Sequence, residues 1–317
     1  MTDASPTATA AKGRDVGLVW RVIDVLVAIG RRVRFQRTKP VVPYLLVLPA
    51  IVLIGLLAAG VSYMVWTSFH SLDTSTNTQG GWSLEHYRRL STGPATSTYR
   101  GALTRTVVTS VIVMISAVVL AVPTAFTIVR IQTRRWRRVA LVFLLVPFLM
   151  GETVRTIGWV LIIGNEGALT WLTDSLGHEV HLLGSATAVW IGMLQVMFPI
   201  ATLVMMPAIR RINPDLERAA QTLGARPWRV WLRIVIPLAR PGIVGAALVV
   251  LTLSMTEFAM PRILGLGRRP FVANTIQQIY LERGNLNLGA AFSVVLLVTV
   301  TAMVLLLGVL GKDRSRS

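Results

Sequence analysis

The 317-residue sequence contains no cysteine. Disulfide bonds and metal sites built on thiolate ligands are therefore excluded. Four histidines are present, and two of them, His178 and His181, lie close together in a polar loop. No third ligand stands at helical spacing from this pair, whereas a structural or catalytic metal needs three or four. We expect neither a metal ion nor another cofactor on this chain.

Charged residues are also scarce. They make up 15% of the chain and hydrophobic residues 53%, whereas a soluble domain carries about 25% charged residues. This composition is typical of an integral membrane protein. The net charge of +18 does not indicate nucleic-acid binding, because the basic residues are scattered between long apolar runs and no nucleic-acid-binding motif occurs.

A third absence concerns nucleotides. The sequence has no Gly-x-x-x-x-Gly-Lys-Ser/Thr run, which is the loop that cradles the phosphates of ATP in many hydrolases. The chain cannot hydrolyse ATP by that machinery, and we do not expect it to be an enzyme by itself.

Six apolar segments are long enough to cross a bilayer, which takes roughly 20 residues. They cover residues 42–67, 105–129, 139–163, 186–209, 242–261 and 289–310. The third is the weakest, because Glu152 and Arg155 interrupt it, and prolines 123, 147 and 199 should kink the spans that contain them. The predicted fold class is an all-α membrane protein with a six-helix domain over residues 42–311 and a short tail at 312–317.

The segment before the first span divides into two parts. Residues 1–15 are small and polar, which predicts a disordered tail. Residues 16–33 are apolar but contain Arg21 and Asp24, and a basic linker follows to residue 41. This pattern favours an amphipathic helix lying on the cytoplasmic membrane face. The alternative is an extra span in which Arg21 and Asp24 pair at i, i+3.

Basic residues set the expected orientation, because they are enriched in cytoplasmic loops. Arginine clusters precede the first span, join spans two and three, join spans four and five, and extend into the tail, whereas the link between spans three and four has no lysine or arginine. This alternation places both termini in the cytoplasm. The loops 69–104 and 262–288 also carry arginines, but they are longer, and the rule binds long loops less.

The cytoplasmic loop of residues 213–243 is the longest charged interruption between two apolar segments. Its first half predicts a helix that Asn213 caps, Pro214 begins and Gly224 ends. Its second half predicts a helix from Pro227 that ends at Pro237. Each helix has one apolar face, formed by Leu216, Ala219, Ala220 and Leu223 in the first and by Trp228, Trp231, Leu232 and Val235 in the second. These faces suit either a soluble protein or anionic lipid, and spacing alone favours neither.

The 213–243 loop resembles the EAA signature of the membrane subunits of ABC importers. The matching residues are Ala219, Ala220, Leu223, Gly224, Ala225, Trp228, Ile234, Ile236 and Pro237, followed by Pro241, Gly242 and Ile243. In that family the loop forms a pair of coupling helices that dock in a groove on the ATP-hydrolysing subunit, so the resemblance implies ATPase coupling here.

One departure from the signature concerns its acidic residue. Arg218 stands where the acid is expected, and a carboxylate stands one position earlier, at Glu217. On a helix this shift turns the carboxylate about 100° around the axis. A contact with the ATPase from a different angle, or a different contact, is therefore implied.

Two further stretches resemble the spermidine/putrescine branch of these permeases. They run from Pro147 to Leu169 and from Glu257 to Ala291. The resemblance implies a multi-pass protein of the bacterial inner membrane that forms half of a pathway for a polyamine-like cation. Permeases for ferric ion, thiamine, phosphonate, opine or sulfate share much of this pattern, and these ligands stay open as alternatives.

The resemblance also implies the partners. They are a pair of ATPase subunits that bind ATP and Mg²⁺, a second and distinct permease subunit, an extracytoplasmic substrate-binding protein, and membrane lipid. A secondary transporter is less favoured, because the sequence shows no convincing internal repeat. A membrane-embedded enzyme is less favoured too, because only Glu152 and Glu257 stand within the spans as candidate acids.

Polar residues at bilayer depth form the second candidate site. Glu152 and Arg155 stand at i, i+3 and can neutralise each other, while Glu257 has only Arg262 nearby in sequence. One interpretation is a charge pair that stabilises helix packing. The other is a polar lining of the translocation pathway, with Trp159 beside it, in which Glu257 would suit a cationic substrate.

Overall fold

The computed structural model describes residues 41–73, 78–164, 167–175 and 182–312. The predicted disordered tail, the amphipathic segment up to residue 40, residues 313–317 and the loop with His178 and His181 lie outside the described residues. The chain divides into two units, residues 1–61 and 62–317.

Helices form most of the described chain. In order, the elements are α1 (Val41–Ser68), β1 (His70–Asp73), β2 (Thr78–Trp82), α2 (Glu85–Thr92), α3 (Thr96–Arg130), α4 (Arg134–Leu149), α5 (Glu152–Ile163), α6 (Ala168–Ser175), α7 (Ala186–Arg210), α8 (Pro214–Thr222), α9 (Pro227–Val230), a π-helical turn (Trp231–Val235), α10 (Ile236–Met255), α11 (Ala259–Leu264), α12 (Val272–Gln277), a second π-helical turn (Gln278–Glu282) and α13 (Leu286–Lys312).

Five helical lengths in the described part of the chain are long and apolar enough to cross a membrane. They are Val47–Ser68, Thr96–Arg130, Ala186–Arg210, Pro227–Met255 and Leu286–Gly311. The all-α membrane class is therefore confirmed, and these lengths match the first, second, fourth, fifth and sixth predicted spans. A sixth span exists only if the bent pair α4 and α5 is counted as one.

The predicted third span, residues 139–163, is wrong as a continuous helix. The chain bends by 92° between α4 and the helical stretch that begins at Glu152. Met150 and Gly151 adopt extended ψ angles of 133° and 144° at the break. Glu152 then stands in the first turn of α5, where a carboxylate is favoured by the positive end of the helix dipole. Glu152, which interrupts the predicted third span, is therefore the first residue of a new helix.

Two predicted helix boundaries near residues 237 and 261 are also wrong. Pro237 does not end a helix, because the chain continues from Pro227 through the first π-helical turn into α10. A wider π turn relieves the clash of a proline ring with the preceding turn, and Pro237 enters α10 near its start. The fifth span ends at Met255 rather than Pro261. Pro261 lies in the first turn of α11, where its missing N–H needs no partner.

The described part of the first unit is a lone apolar helical segment. Its large side chains, such as Leu53, Ile54, Leu56 and Leu57, are exposed. This is the surface expected of a helix surrounded by lipid or by another membrane helix.

A short antiparallel hairpin of β1 and β2 lies outside the all-α prediction. His70 pairs with Trp82, and the register shifts between His70 and Leu72. The carbonyl of His70 accepts a hydrogen bond from Nδ2 of Asn287, so the hairpin is tied to the start of α13. The hairpin therefore belongs to the same end of the bundle as the connection that precedes α13.

Helices α3, α7 and α10 pack against one another at the centre of the second unit. Close approach depends on small residues, as is usual between membrane helices. A Cβ added at Gly242 would lie 2.3 Å from Cβ of Ala208. Met193, Met197, Met255 and Met260 are buried in the same apolar core.

Helix α3 connects the two ends of this unit. Near its start, Oγ1 of Thr106 accepts a hydrogen bond of 3.0 Å from the amide of Val272. At its last residue, the guanidinium of Arg130 donates a hydrogen bond of 3.1 Å to the carbonyl of Ile212. The 213–243 loop therefore lies at the opposite end of α3 from the hairpin, α2 and α12.

Candidate coupling and translocation sites

Helix α8 begins as its sequence predicts. Oδ1 of Asn213 accepts a hydrogen bond of 3.0 Å from the amide of Asp215, and Pro214 occupies the first helical position. Asp215 and Glu217 stand in the first turn, where carboxylates are favoured. The N-terminal cap of the candidate coupling helix is thus set by three consecutive residues.

The end of α8 is a left-handed turn at Gly224. Its φ angle is +84°, a conformation that residues with a Cβ avoid. The amide of Gly224 donates to the carbonyl of Gln221 over 2.9 Å, and the amide of Ala225 donates to the carbonyl of Ala220 over 3.0 Å. These two bonds form the Schellman arrangement, which satisfies carbonyls at the helix end. The predicted glycine stop is confirmed.

The apolar face of α8 is open. Leu216, Ala219 and Leu223 are exposed, and the side chain of Leu223 is 89% exposed. Ala220 and Ala225 are half-buried, whereas Trp228 and Pro237 are exposed. A contiguous apolar surface at a helix end rimmed by arginines is suited to a partner rather than to water.

The displaced acid of the signature points into the molecule. Glu217 forms an ion pair with Arg130 at the end of α3, and its side chain is only 15% exposed. Arg218, at the expected acidic position, is exposed and pairs with Asp215 of the same helix over 3.1 Å. The structure therefore separates these two candidate residues, and only Arg218 lies on the outer surface.

A second contact joins the following helix to α3. The rings of Phe126 and Trp231 meet edge to face, with centroids 5.6 Å apart. Sequence reasoning placed Trp231 on an apolar face but did not identify Phe126 as its neighbour, nor Arg130 as the partner of Glu217. No local signal marks these contacts, because each joins residues that lie far apart in the chain.

The polar residues of the second candidate site come together where α5 meets α11. Oγ1 of Thr156 donates to the carbonyl of Glu152 over 2.7 Å and contacts Sδ of Met260 over 3.9 Å. Glu257 faces the amides of Ala259 and Met260 and interacts electrostatically with both Glu152 and Arg155. Residues from two separate stretches, Glu152 with Arg155 and Glu257, therefore form one charged group.

The predicted internal pair of Glu152 and Arg155 is absent from the ion pairs between described residues. Nε of Arg155 is buried without a hydrogen-bond partner in the described residues. Arg262, the predicted neighbour of Glu257, instead donates to Oε1 of Gln277 and lies over the ring of Phe258. The cluster thus contains two carboxylates and one guanidinium.

Trp159, on the same helix as Glu152 and Arg155, is hydrogen-bonded to a residue that lines a cavity. Its Nε1 donates a hydrogen bond of 2.7 Å to Oε1 of Gln195 on α7. Gln195 lines an apolar cavity of about 520 Å³, together with Pro123, Pro147 and Pro199. Sequence reasoning noted the three prolines separately and missed Gln195, although an amide within an apolar span is itself a signal of function or pairing.

Comparison with known proteins gives a family for this arrangement. A model of the family described as binding-protein-dependent transport system inner membrane component matches residues 92–315. The spermidine/putrescine transport system permease protein PotB of Salmonella typhimurium is 26% identical over 247 residues, which is 77% of this chain and 84% of that protein. The molybdenum transport system permease protein ModB of Mycobacterium bovis is 31% identical over 221 residues, 69% of this chain and 81% of that protein.

Solved structures show the same fold. A bacterial ABC transporter involved in the import of the acidic polysaccharide alginate superimposes with a TM-score of 0.71 at 15% identity, covering 93% of this chain and 98% of that one. The bacterial alginate transporter in complex with an alginate pentasaccharide-bound periplasmic protein also superimposes with a TM-score of 0.71 at 15% identity, covering 94% of this chain and 99% of that one.

Proposed function

The chain belongs to the family of binding-protein-dependent transport system inner membrane components, and on that premise we propose how it couples and what it carries. It is a multi-pass permease subunit of an ABC importer. We propose that its 213–243 loop docks on an ATPase subunit and that its charged cluster at Glu152, Arg155 and Glu257 lines the path of a small organic cation.

The open apolar face of α8 carries the coupling proposal. Leu216, Ala219 and Leu223 are exposed at a capped helix that the end of α3 holds in place. Small and apolar side chains permit close approach to a groove, and two rigid helix caps limit bending. Docking of an ATPase on this face would place both termini in the cytoplasm.

The assembly would contain two permease subunits, of which the second is a distinct chain, and two ATPase subunits. ATP and Mg²⁺ would bind to the ATPases, because this chain has no phosphate-binding loop. Closure of the ATPase pair would move α8 as a rigid body and open the pathway outward. A substrate-binding protein would then deliver the ligand at the end of the bundle that carries the hairpin and α12.

The charge balance of the α5–α11 cluster carries the substrate proposal. Two carboxylates and one guanidinium give this cluster one more acidic than basic group just beyond the end of the fifth span at Met255, and a partly buried charge without a partner is costly. A cation passing this point would offset that charge. The PotB relatives, whose printed name gives spermidine and putrescine transport, support a polyamine as the cation.

An oxyanion is the second candidate, and a specific observation favours it. Nε of Arg155 lacks a partner among the described residues, and a guanidinium is the side chain that best matches an oxyanion. ModB, a relative named for molybdenum transport, is consistent with this alternative. The two candidates assign the binding role to opposite charges of the same cluster.

Uptake by the reconstituted system distinguishes them. Glu257→Gln should lower the uptake of labelled spermidine or putrescine about 5- to 30-fold, because about 1–2 kcal/mol of favourable charge interaction is lost. Glu282→Gln, at an exposed acid of the same end, should leave uptake unchanged. Unchanged polyamine uptake in Glu257→Gln at normal membrane abundance would contradict the pathway role. Uptake of molybdate or sulfate, abolished by Arg155→Gln, would establish the oxyanion instead.

A further inference from the structure

Three contacts hold the candidate coupling segment against the cytoplasmic end of α3. The guanidinium of Arg130 pairs with the carboxylate of Glu217 and donates to the carbonyl of Ile212 over 3.1 Å. The ring of Trp231 meets the ring of Phe126 edge to face. Both sides of the Gly224 turn are therefore attached to the same five-residue stretch of α3.

The ion pair differs from the others in the described residues. Glu85 with Arg89 and Asp215 with Arg218 are exposed pairs within single helices, whereas Arg130 and Glu217 join two helices. Their side chains are 21% and 15% exposed. Exposed pairs within a helix contribute little, but a partly buried pair resists separation because each charge would lose its partner where water reaches it poorly.

Arg130 suits this position for three reasons. It is the last residue of α3, where a cation is favoured by the helix dipole. Its guanidinium lies over the ring of Phe126 at 5.5 Å. Its planar group of several N–H donors serves a carbonyl and a carboxylate at once, which a lysine ammonium does with less geometric definition.

Helix α3 can carry a displacement to the other end of the unit. It packs along α7 and α10, the two other central helices. Near its start, Thr106 accepts a hydrogen bond from the amide of Val272, at the beginning of α12. A movement of α8 that pulls on Arg130 therefore acts on the helix that contacts both ends.

We propose that Arg130 and Glu217 are a positioning pair for transport coupling, in which the acid of the coupling helix binds the chain's own α3 rather than the ATPase. The inference rests on the proposed docking of an ATPase on α8. The ATPase then contacts the apolar face at Leu216, Ala219 and Leu223, and the ion pair passes the motion of that face to α3.

The test measures coupling rather than activity alone. Arg130→Gln and Glu217→Gln are reconstituted with the ATPase, the second permease and the binding protein, and substrate uptake is divided by ATP hydrolysed. Each variant should retain its ATPase through purification, while uptake per ATP falls about fivefold or more, as expected for one lost interaction of this kind. Paired variants Glu85→Gln and Arg89→Gln, which break an exposed pair at the opposite end, should leave the ratio unchanged.

The exchanged double variant Arg130→Glu with Glu217→Arg provides the second readout. It should transport more per ATP than either Arg130→Glu or Glu217→Arg alone, because the partners attract again. A double variant no better than the single ones would overturn the proposal, and it decides the matter even where a single variant fails to accumulate. An unchanged uptake ratio in Glu217→Gln would also overturn it.

Loss of the ATPase from Glu217→Gln during purification would overturn the proposal in a different way, because the carboxylate would then contact the ATPase directly. Absence of any ATPase from the wild-type preparation would instead contradict the proposed function. The two failures are therefore distinguishable.

Discussion

At the scale of single residues, His86 is a buried titratable side chain outside the spans. It is buried in α2, with Nε2 3.1 Å from the carbonyl of His70, and Nδ1 has no hydrogen-bond partner in the described residues. Burial lowers the pKa of His86 below 6.5, the nearby Arg89 acts in the same direction, and the His70 carbonyl and Glu85 oppose them. The folded protein therefore favours the neutral ring.

This lowered pKa predicts acid sensitivity. The unfolded chain binds the proton more readily, so the contribution of His86 to stability is fully present above pH 6.5 and is lost as the pH falls through the folded-state pKa. When the pH is lowered from about 7.5 to about 5.5, the thermal unfolding midpoint of the protein in detergent should decrease. The decrease should be smaller in His86→Gln, because glutamine does not titrate. An equal decrease in both proteins would show that other groups determine it.

Residues whose role is local could be predicted, and those whose partner is distant could not. Asn213, Pro214 and Gly224 follow from capping rules that involve only their neighbours. Glu217 was singled out as displaced, yet its partner Arg130 lies 87 positions away. The sequence shows the carboxylate of Glu217, but it does not show that this carboxylate pairs with Arg130.

At the scale of elements, the length of α8 depends on the left-handed turn at Gly224. Nothing lies within 4 Å of a Cβ placed there, so an added Cβ would clash with no neighbour. The cost of a substitution comes from the left-handed backbone conformation alone. Gly224→Leu should cost about 1–2 kcal/mol in that conformation and drive the turn into another one. The faces of α8 and α9 would then lose their relative orientation, and uptake should be abolished while membrane insertion stays normal.

The matched control is Gly245→Leu in α10, which also has open space at Cβ but lies inside a helix. Immunoblots of membranes give the amount of each variant, and uptake is normalised to it. Gly224→Asn, which tolerates the left-handed region better, should retain more uptake than Gly224→Leu. Full uptake in Gly224→Leu would contradict the coupling role of the loop.

The apolar runs of the sequence predicted where the membrane-spanning helices lie, but not where those helices bend or are interrupted. Hydropathy located five spans because a bilayer requires such lengths. It did not resolve the 92° bend at Gly151 or the π-helical turn before Pro237, since both depend on how the chain packs around a proline or a charge. The hairpin of β1 and β2 escaped prediction because its pairing is short and irregular.

At the scale of the whole molecule, the sequence predicted the class, the separation of a charged loop from apolar spans, and a family signature. It did not predict that Glu152, Arg155 and Glu257 would share one cluster, or that Gln195 would link Trp159 to the proline-lined cavity. Tertiary packing brings these side chains together from two helices, α5 and α7, and the connection between α10 and α11, and no spacing rule spans such distances.

The central claim is that the face of α8 docks on an ATPase, and crosslinking tests it directly. The chain contains no cysteine, so Leu223→Cys carries a single thiol at an 89% exposed position. Leu281→Cys, at a 75% exposed position near the opposite end, is the matched control. A thiol-to-amine crosslinker is applied to membranes that contain the whole transporter. We predict an adduct of permease and ATPase from Leu223→Cys and none from Leu281→Cys, whereas a thiol at residue 223 that yields no ATPase adduct, and is protected instead by anionic lipid, would contradict the account.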